Sequence, residues 1–350
     1  MKPTQSLDWR VLLPVATASL MSACWIQPVA AAEAAAVTID AEAAAKTSWR
    51  EFMARNPASE PGCFQAAYPN YLWEKAQCHA ISQTHTHPIR RQSTARPAEE
   101  ITGNGNDYVA QAAGLISKTL GTFPSVTGVT SERSVGVAAF GGGGILGPNE
   151  YTLQINTNFT GTTSTCAGHS GCTVWQQFIY SPDYNVNGQA AVFMQYWLIG
   201  WGSARCPSGW MSAGGGDCFR NSNFVAAPDL PITSLGNETL SGSATAGGND
   251  TVVFTNGSTA YSVSGADSVV NIASVWRESE FNVVGNAGGS RANFNRGSHV
   301  TVKIALTDGS TAAPSCVAGA GSTGETNNLN LGACTTASGT TPSVQFTESN

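Results

Sequence analysis

Ala190-Ala191-Val192-Phe193-Met194-Gln195-Tyr196-Trp197-Leu198-Ile199-Gly200-Trp201 is the stretch on which the fold turns. Read with a period of two, it puts Ala191, Phe193, Gln195, Trp197, Ile199 and Trp201 on one side and Val192, Met194, Tyr196 and Leu198 on the other. Both sides are apolar, which places the strand centrally in a sheet rather than at an edge. A buried amide such as Gln195 must find hydrogen-bond partners, so it either bridges layers or lines a pocket. Just upstream, Trp175-Gln176-Gln177-Phe178 repeats the theme with one glutamine directed to each face.

Working outward, further strands are expected at 151–159, 174–181, 251–254, 260–263, 269–275, 280–284 and 300–306. Many strands with no helices between them indicate antiparallel sheets packed face to face, a mainly β two-sheet sandwich. In the last strand Val300, Val302, Ile304 and Leu306 share one face while His299, Thr301 and Lys303 share the other, so one face is wet. Two helices are expected. One spans 41–56, where Trp49, Phe52 and Met53 form an apolar stripe; the other spans 107–120, where Val109, Ala112, Ile116 and Leu120 recur at three- and four-residue spacing. The segment 316–350, rich in Gly, Thr and Asn, reads as a long terminal loop.

Composition agrees with an exported β-rich chain: 11% of residues are charged and 38 of 350 are glycine. The net charge of −6 comes with no basic patch, which argues against nucleic acid as a partner. Eight of the nine cysteines fall into close sequential pairs, Cys63 with Cys78, Cys166 with Cys172, Cys206 with Cys218 and Cys316 with Cys334, a disulfide framework. The ninth, Cys24, lies in an N-terminal apolar run that reads as a secretory signal over 1–32, cleaved after Ala32. Met21-Ser22-Ala23-Cys24 offers the competing reading of lipid attachment at Cys24, although Met21 and Trp25 fit it poorly. No membrane partner is expected unless Cys24 is lipidated. The remainder divides into a helical, disulfide-stapled region over 33–83 that is a candidate pro-segment, a Pro-dotted linker over 84–104 carrying Arg90-Arg91, and a sandwich over 105–350.

Chemistry is sparse. His85 and His87 sit in the linker with no carboxylate beside them, so no metal and no cofactor are expected. No Gly-x-Ser-x-Gly elbow is present. The segment Trp276-Arg277-Glu278-Ser279-Glu280-Phe281-Asn282, if extended, brings Glu278 and Glu280 onto one face beside Trp276. Like charges and apolar walls both raise a carboxyl pKa, and a raised carboxyl is a usable acid or base. The plainer reading is an acidic strand end screened by Arg277.

Taken together, Cys172 to Tyr180 with its glutamines, the Gly188-Gln189 turn, the aromatic strand Phe193 to Trp197, Ser279-Glu280-Phe281 and the later Ala292-Asn293-Phe294 resemble the glutamic peptidases known as eqolisins. The resemblance covers roughly 151–306. It implies a concanavalin-like or jelly-roll-like β-sandwich that cleaves peptide bonds in acid, with a Glu as general base and a Gln amide stabilising the oxyanion. Gln176 or Gln177 matches the family's Gln. The family's catalytic Glu comes four residues after the Glu of its Ala-Glu-Phe motif; that position here is Val284, so Glu278 or Glu280 would have to serve.

Two function classes follow. One is an acid-active hydrolase using Gln176 or Gln177 with Glu278 or Glu280 on a peptide substrate. The other is a non-catalytic sandwich, binding a glycan or a surface partner through Gln195, Trp197, Trp201, Trp210 and Trp276, or serving a structural role. Burial separates them.

Overall fold

The structure, a computed structural model, describes residues 27–81, 107–138, 141–158, 161–186, 188–202, 205–318 and 326–350. The expected signal over 1–32 lies largely outside these residues, and so does the linker with Arg90-Arg91. The chain divides into two compact units, 1–45 and 46–350. No helix among the described residues is long and apolar enough to cross a membrane. All four cysteine pairings expected from local spacing are formed.

The fold is mainly antiparallel β, with two large sheets. One runs, edge to edge, Met211–Gly214, Asp217–Asn221, Gln189–Ile199, Thr173–Val186, Tyr151–Thr157, Glu278–Gly285, Tyr108–Gln111 and Ser315–Ala318. The Gln189–Ile199 strand, apolar on both sides, is central as its pattern requires, and it also pairs with Asn223–Ala227. The other sheet is nine-stranded and centres on Glu238–Ala244, Lys118–Thr127 and His299–Thr307. The main core fills the space between the sheets. Val192, Met194 and Phe178 from one sheet meet Leu240, Val252 and Ile304 from the other.

The sheets approach so closely that glycine is needed at the contact. A Cβ on Gly242 would lie 2.4 Å from the Phe178 ring, and one on Gly121 would lie 2.2 Å from the Phe281 ring. On the far face of the ten-stranded sheet two smaller apolar clusters form, Ile179 with Tyr184, Phe193 and Phe224, and Trp175 with Trp197, Ile199 and Phe219. This far face carries the candidate site.

Four expectations are corrected. First, 107–120 is not a helix but two strands, Tyr108–Gln111 and Lys118–Thr127. Gly114, a poor helix former, instead packs against the Asp308 backbone and donates its N–H to Asp308 Oδ2. Cross-strand pairing on both edges of Tyr108–Gln111 then outweighs the chance three- and four-residue spacing.

Second, 269–275 is not a strand: short 3-10 turns occupy Asp267–Val269 and Ile272–Ser274. Asp267 accounts for this. Its carbonyl accepts from the N–H of Val270 and Asn271, its Oδ1 accepts from Ala273 N–H, and Asn271 turns left-handed at φ 57°. Third, the C-terminal segment is not a loop but supplies strands Ser315–Ala318, Asn330–Ala337 and Ser343–Ser349. Polar composition marks strands that lie at or near sheet edges, with one wet face.

Fourth, the N-terminal helix is longer than expected, Gln27–Arg55. Trp49 and Met53 are buried as the stripe requires, whereas Phe52 is exposed and meets Tyr71 edge-on. The stapled segment after it joins the sandwich: Gly62–Ala67 pairs with Thr259–Ala266 in the nine-stranded sheet.

Candidate functional site

Strand register places five polar side chains in one row across five strands. Asn221 lies opposite Gln195, Gln195 opposite Gln177, Gln177 opposite Asn156, and Asn156 opposite Glu280. Residues directly opposite one another on neighbouring strands point to the same face, so the row is a consequence of register alone. It runs between the two outer apolar clusters, with the Ile179–Phe193 pair on one side and the Trp175–Trp197 pair on the other.

All five side chains are buried, Glu280 at 1% exposure, and hydrogen bonds link them to one another and to flanking Trp197 and Gln154. Gln195 Nε2 donates to Asn221 Oδ1 at 2.7 Å. Trp197 Nε1 donates to Oε1 of both Gln195 and Gln177, each at 3.0 Å. Gln177 Nε2 donates to Asn156 Oδ1 at 2.9 Å and to Gln154 Oε1 at 3.0 Å. Asn156 Nδ2 then donates to Glu280 Oε2 at 2.9 Å. Gln177 and Glu280 are thus connected through one intervening side chain, on strands about 10 Å apart.

Glu280 is held well above the ordinary carboxylate range. Burial is the main cause; the charge of Asp107 and a hydrogen bond with it add to this, Asn156 opposes it, and Glu348 contributes at longer reach. Asp107 is fully buried immediately ahead of the Tyr108–Gln111 strand, which pairs with the Glu280 strand. Two carboxyls joined by a hydrogen bond need one proton between them, since an ionised carboxylate cannot donate. Glu348 is likewise buried and pushed up to about 8 by burial, while accepting from Asn282 Nδ2 at 2.9 Å and Asn327 Nδ2 at 3.3 Å.

The other candidate residues separate from this site. Gln176 points to the opposite face, into the space between the sheets, where its Nε2 lies 3.8 Å from Met194 Sδ. Of the two glutamines, only Gln177 shares a face with Glu280. Glu278 is half-buried, raised by burial, and its Oε1 accepts from Gln111 Nε2 at 3.2 Å. The carboxyl that meets Glu280 is therefore Asp107 and not Glu278, and Glu280 is enclosed by amides and carboxyls and not screened by Arg277. Glu278 lines a separate cavity of about 460 Å³ with Gln111, Asn158, Arg277 and Ser315.

Trp276, expected on an exposed face, is fully buried; it stacks on Phe178 and its Nε1 donates to Glu278 O at 2.8 Å. Trp201 is stacked against His169, whose Nδ1 meets Trp201 O at 2.8 Å. Trp197 is fully buried beside the row, to which it donates its Nε1–H. Among the described residues no group of His, Cys, Asp and Glu has the arrangement of a metal site.

Comparison with known proteins adds little. No family model and no curated protein matches the chain. A solved structure of scytalido-glutamic peptidase with a transition-state analogue inhibitor is similar at 12% identity, over 68% of this chain and 96% of that one, with a TM-score of 0.30. A likeness at that level says nothing about the site. What is established is a disulfide-bonded, antiparallel β-sandwich with a buried carboxyl and amide row on the outer face of one sheet.

Proposed function

We propose that the protein is an acid-active hydrolase of peptide bonds, with Glu280 as its working carboxyl and Gln177 as the amide of the same site. The supporting observation is the row itself: Glu280, raised well above the ordinary range, accepts from Asn156, which in turn accepts from Gln177. Burial keeps Glu280 protonated through the acid range, which is the state a general acid needs. Peptide as substrate class comes from the resemblance of the strand segments to the glutamic peptidases.

An expected role for Asn156 is to fix the Glu280 carboxyl in orientation. Because every member of the row is buried, substrate reaches it only when this face opens. Glycan binding through exposed tryptophans is less well supported, because Trp276 is buried and Trp201 is stacked under His169.

The test is digestion of a denatured protein by the purified full chain, scanned from about pH 2 to 7. Fragments that form in acid and vanish in Glu280→Gln are the expected result. Absence of cleavage across the whole range would overturn the reading.

A further inference from the structure

Gln177 carries two amide hydrogens, and both are engaged, one on Gln154 Oε1 at 3.0 Å and one on Asn156 Oδ1 at 2.9 Å. Its carbonyl oxygen is held by Trp197. In this packing Gln177 has no hydrogen left for a developing oxyanion, and releasing one would strand a buried acceptor. A pair of carboxyls has no such conflict. Asp107 supplies the second carboxyl: fully buried, at the head of the strand that pairs with Glu280's own, and hydrogen-bonded to Glu280.

We propose that Asp107 and Glu280 act as a carboxyl pair holding one proton between them, with Asp107 as the second catalytic residue of the hydrolysis proposed above. This inference rests on that reading.

Two carboxyls in contact resist ionising together, so between the pair's two apparent pKa values one is ionised while the other keeps its proton. In the forward step the ionised member takes a proton from water as the water oxygen bonds to the scissile carbonyl carbon. The protonated member gives its proton to the carbonyl oxygen, yielding a neutral gem-diol. In the second step the carbon–nitrogen bond breaks, the leaving nitrogen takes the proton that came from water, and one gem-diol hydroxyl returns its proton to the other carboxyl. Water and a peptide bond become a carboxylic acid and an amine, and the pair ends in its starting state. The proton count requires no third group.

Asn156 donates to one oxygen of Glu280 and so orients the pair; Asn282 and Asn327 hold Glu348 aside, which keeps the third carboxyl out of the exchange. Among the described residues, the charged groups that act most on Glu280 are Asp107 and Glu348.

The test compares the full-length wild-type chain with Asp107→Asn and Asp107→Glu, using a peptide substrate and 13C-carboxyl NMR of glutamate-labelled protein, with Glu280 assigned by its absence in Glu280→Gln. The expected result is a fall in kcat of about 100-fold or more in Asp107→Asn, in the range for loss of a general acid. In the same variant the Glu280 carboxyl titrates lower, because a like charge has gone. Asp107→Glu restores part of the rate with a displaced pH profile. A kcat within about threefold of wild type, with an unchanged pH profile and an unchanged Glu280 titration in Asp107→Asn, would overturn the pair. If Asp107→Asn does not fold, an Asp107→Glu protein with an unaltered pH profile overturns it instead. Where the wild type cleaves nothing, the function proposed above fails, and the NMR titration alone decides whether the two carboxyls share a proton.

Discussion

Glu280 lies at one end of a chain of amide donors, so its neighbours can be changed one at a time. Asn156→Ala removes the one side-chain donor that opposes the rise in the Glu280 pKa, and takes the acceptor from a Gln177 N–H. Glu280 is then expected to titrate higher still, as read by carboxyl NMR. The variant is expected to lose about 1–3 kcal/mol of stability for the stranded amide, as read by denaturant unfolding. Period-two alternation put Gln177 and Glu280 on readable faces of their strands, and left Gln176 and Gln177 as alternatives that only the pairing with the Tyr151–Thr157 strand separates. Asp107 was not legible, because reading 107–120 as a helix placed it at the start of a helix instead of at the head of a strand. Glu348 was hidden in the same way by reading the C-terminal segment as a loop.

At the scale of elements, the central strand and its neighbours follow from side-chain alternation, and the misread segments are those where a tertiary partner decides. The Tyr108–Gln111 strand forms because the strands beginning at Glu278 and Ser315 pair with its two edges, and neither pairing is visible locally. Close contact between the sheets gives a direct prediction. Gly242→Ala sets a methyl group within 2.4 Å of the Phe178 ring, and overpacking of this kind costs about 1–3 kcal/mol. A lowered melting temperature with little change in far-UV circular dichroism is expected. The Cys316–Cys334 bond joins the edge strand Ser315–Ala318 of one sheet to Asn330–Ala337 of the other. Replacing both cysteines by serine is expected to cost about 3 kcal/mol, for a closed loop of this length, in the same unfolding measurement.

The whole molecule carries an unusual load of buried acid. Glu132, Glu150, Glu238, Asp250 and Glu348 are each pushed up to about 8, with burial the leading cause in every case. Below about pH 4 these groups are largely protonated in both the folded and the unfolded chain and cost nothing. As the pH rises, the unfolded chain ionises first and the folded chain lags, so folding stability falls until the folded groups ionise near pH 8. The protein is therefore expected to have a higher denaturant midpoint at pH 4 than at pH 8, the reverse of ordinary acid denaturation. With only 17 Lys and Arg residues and five His, self-repulsion in acid is limited.

The most direct measurement is the kcat of Glu280→Gln against wild type, on a single peptide and at the acid optimum, with melting curves for both proteins. Gln is isosteric with a protonated Glu280, so the variant is expected to melt at or above the wild-type temperature while losing about 100-fold or more of the rate. A variant that keeps its rate within a few fold, or a wild type that cleaves nothing, would contradict the account.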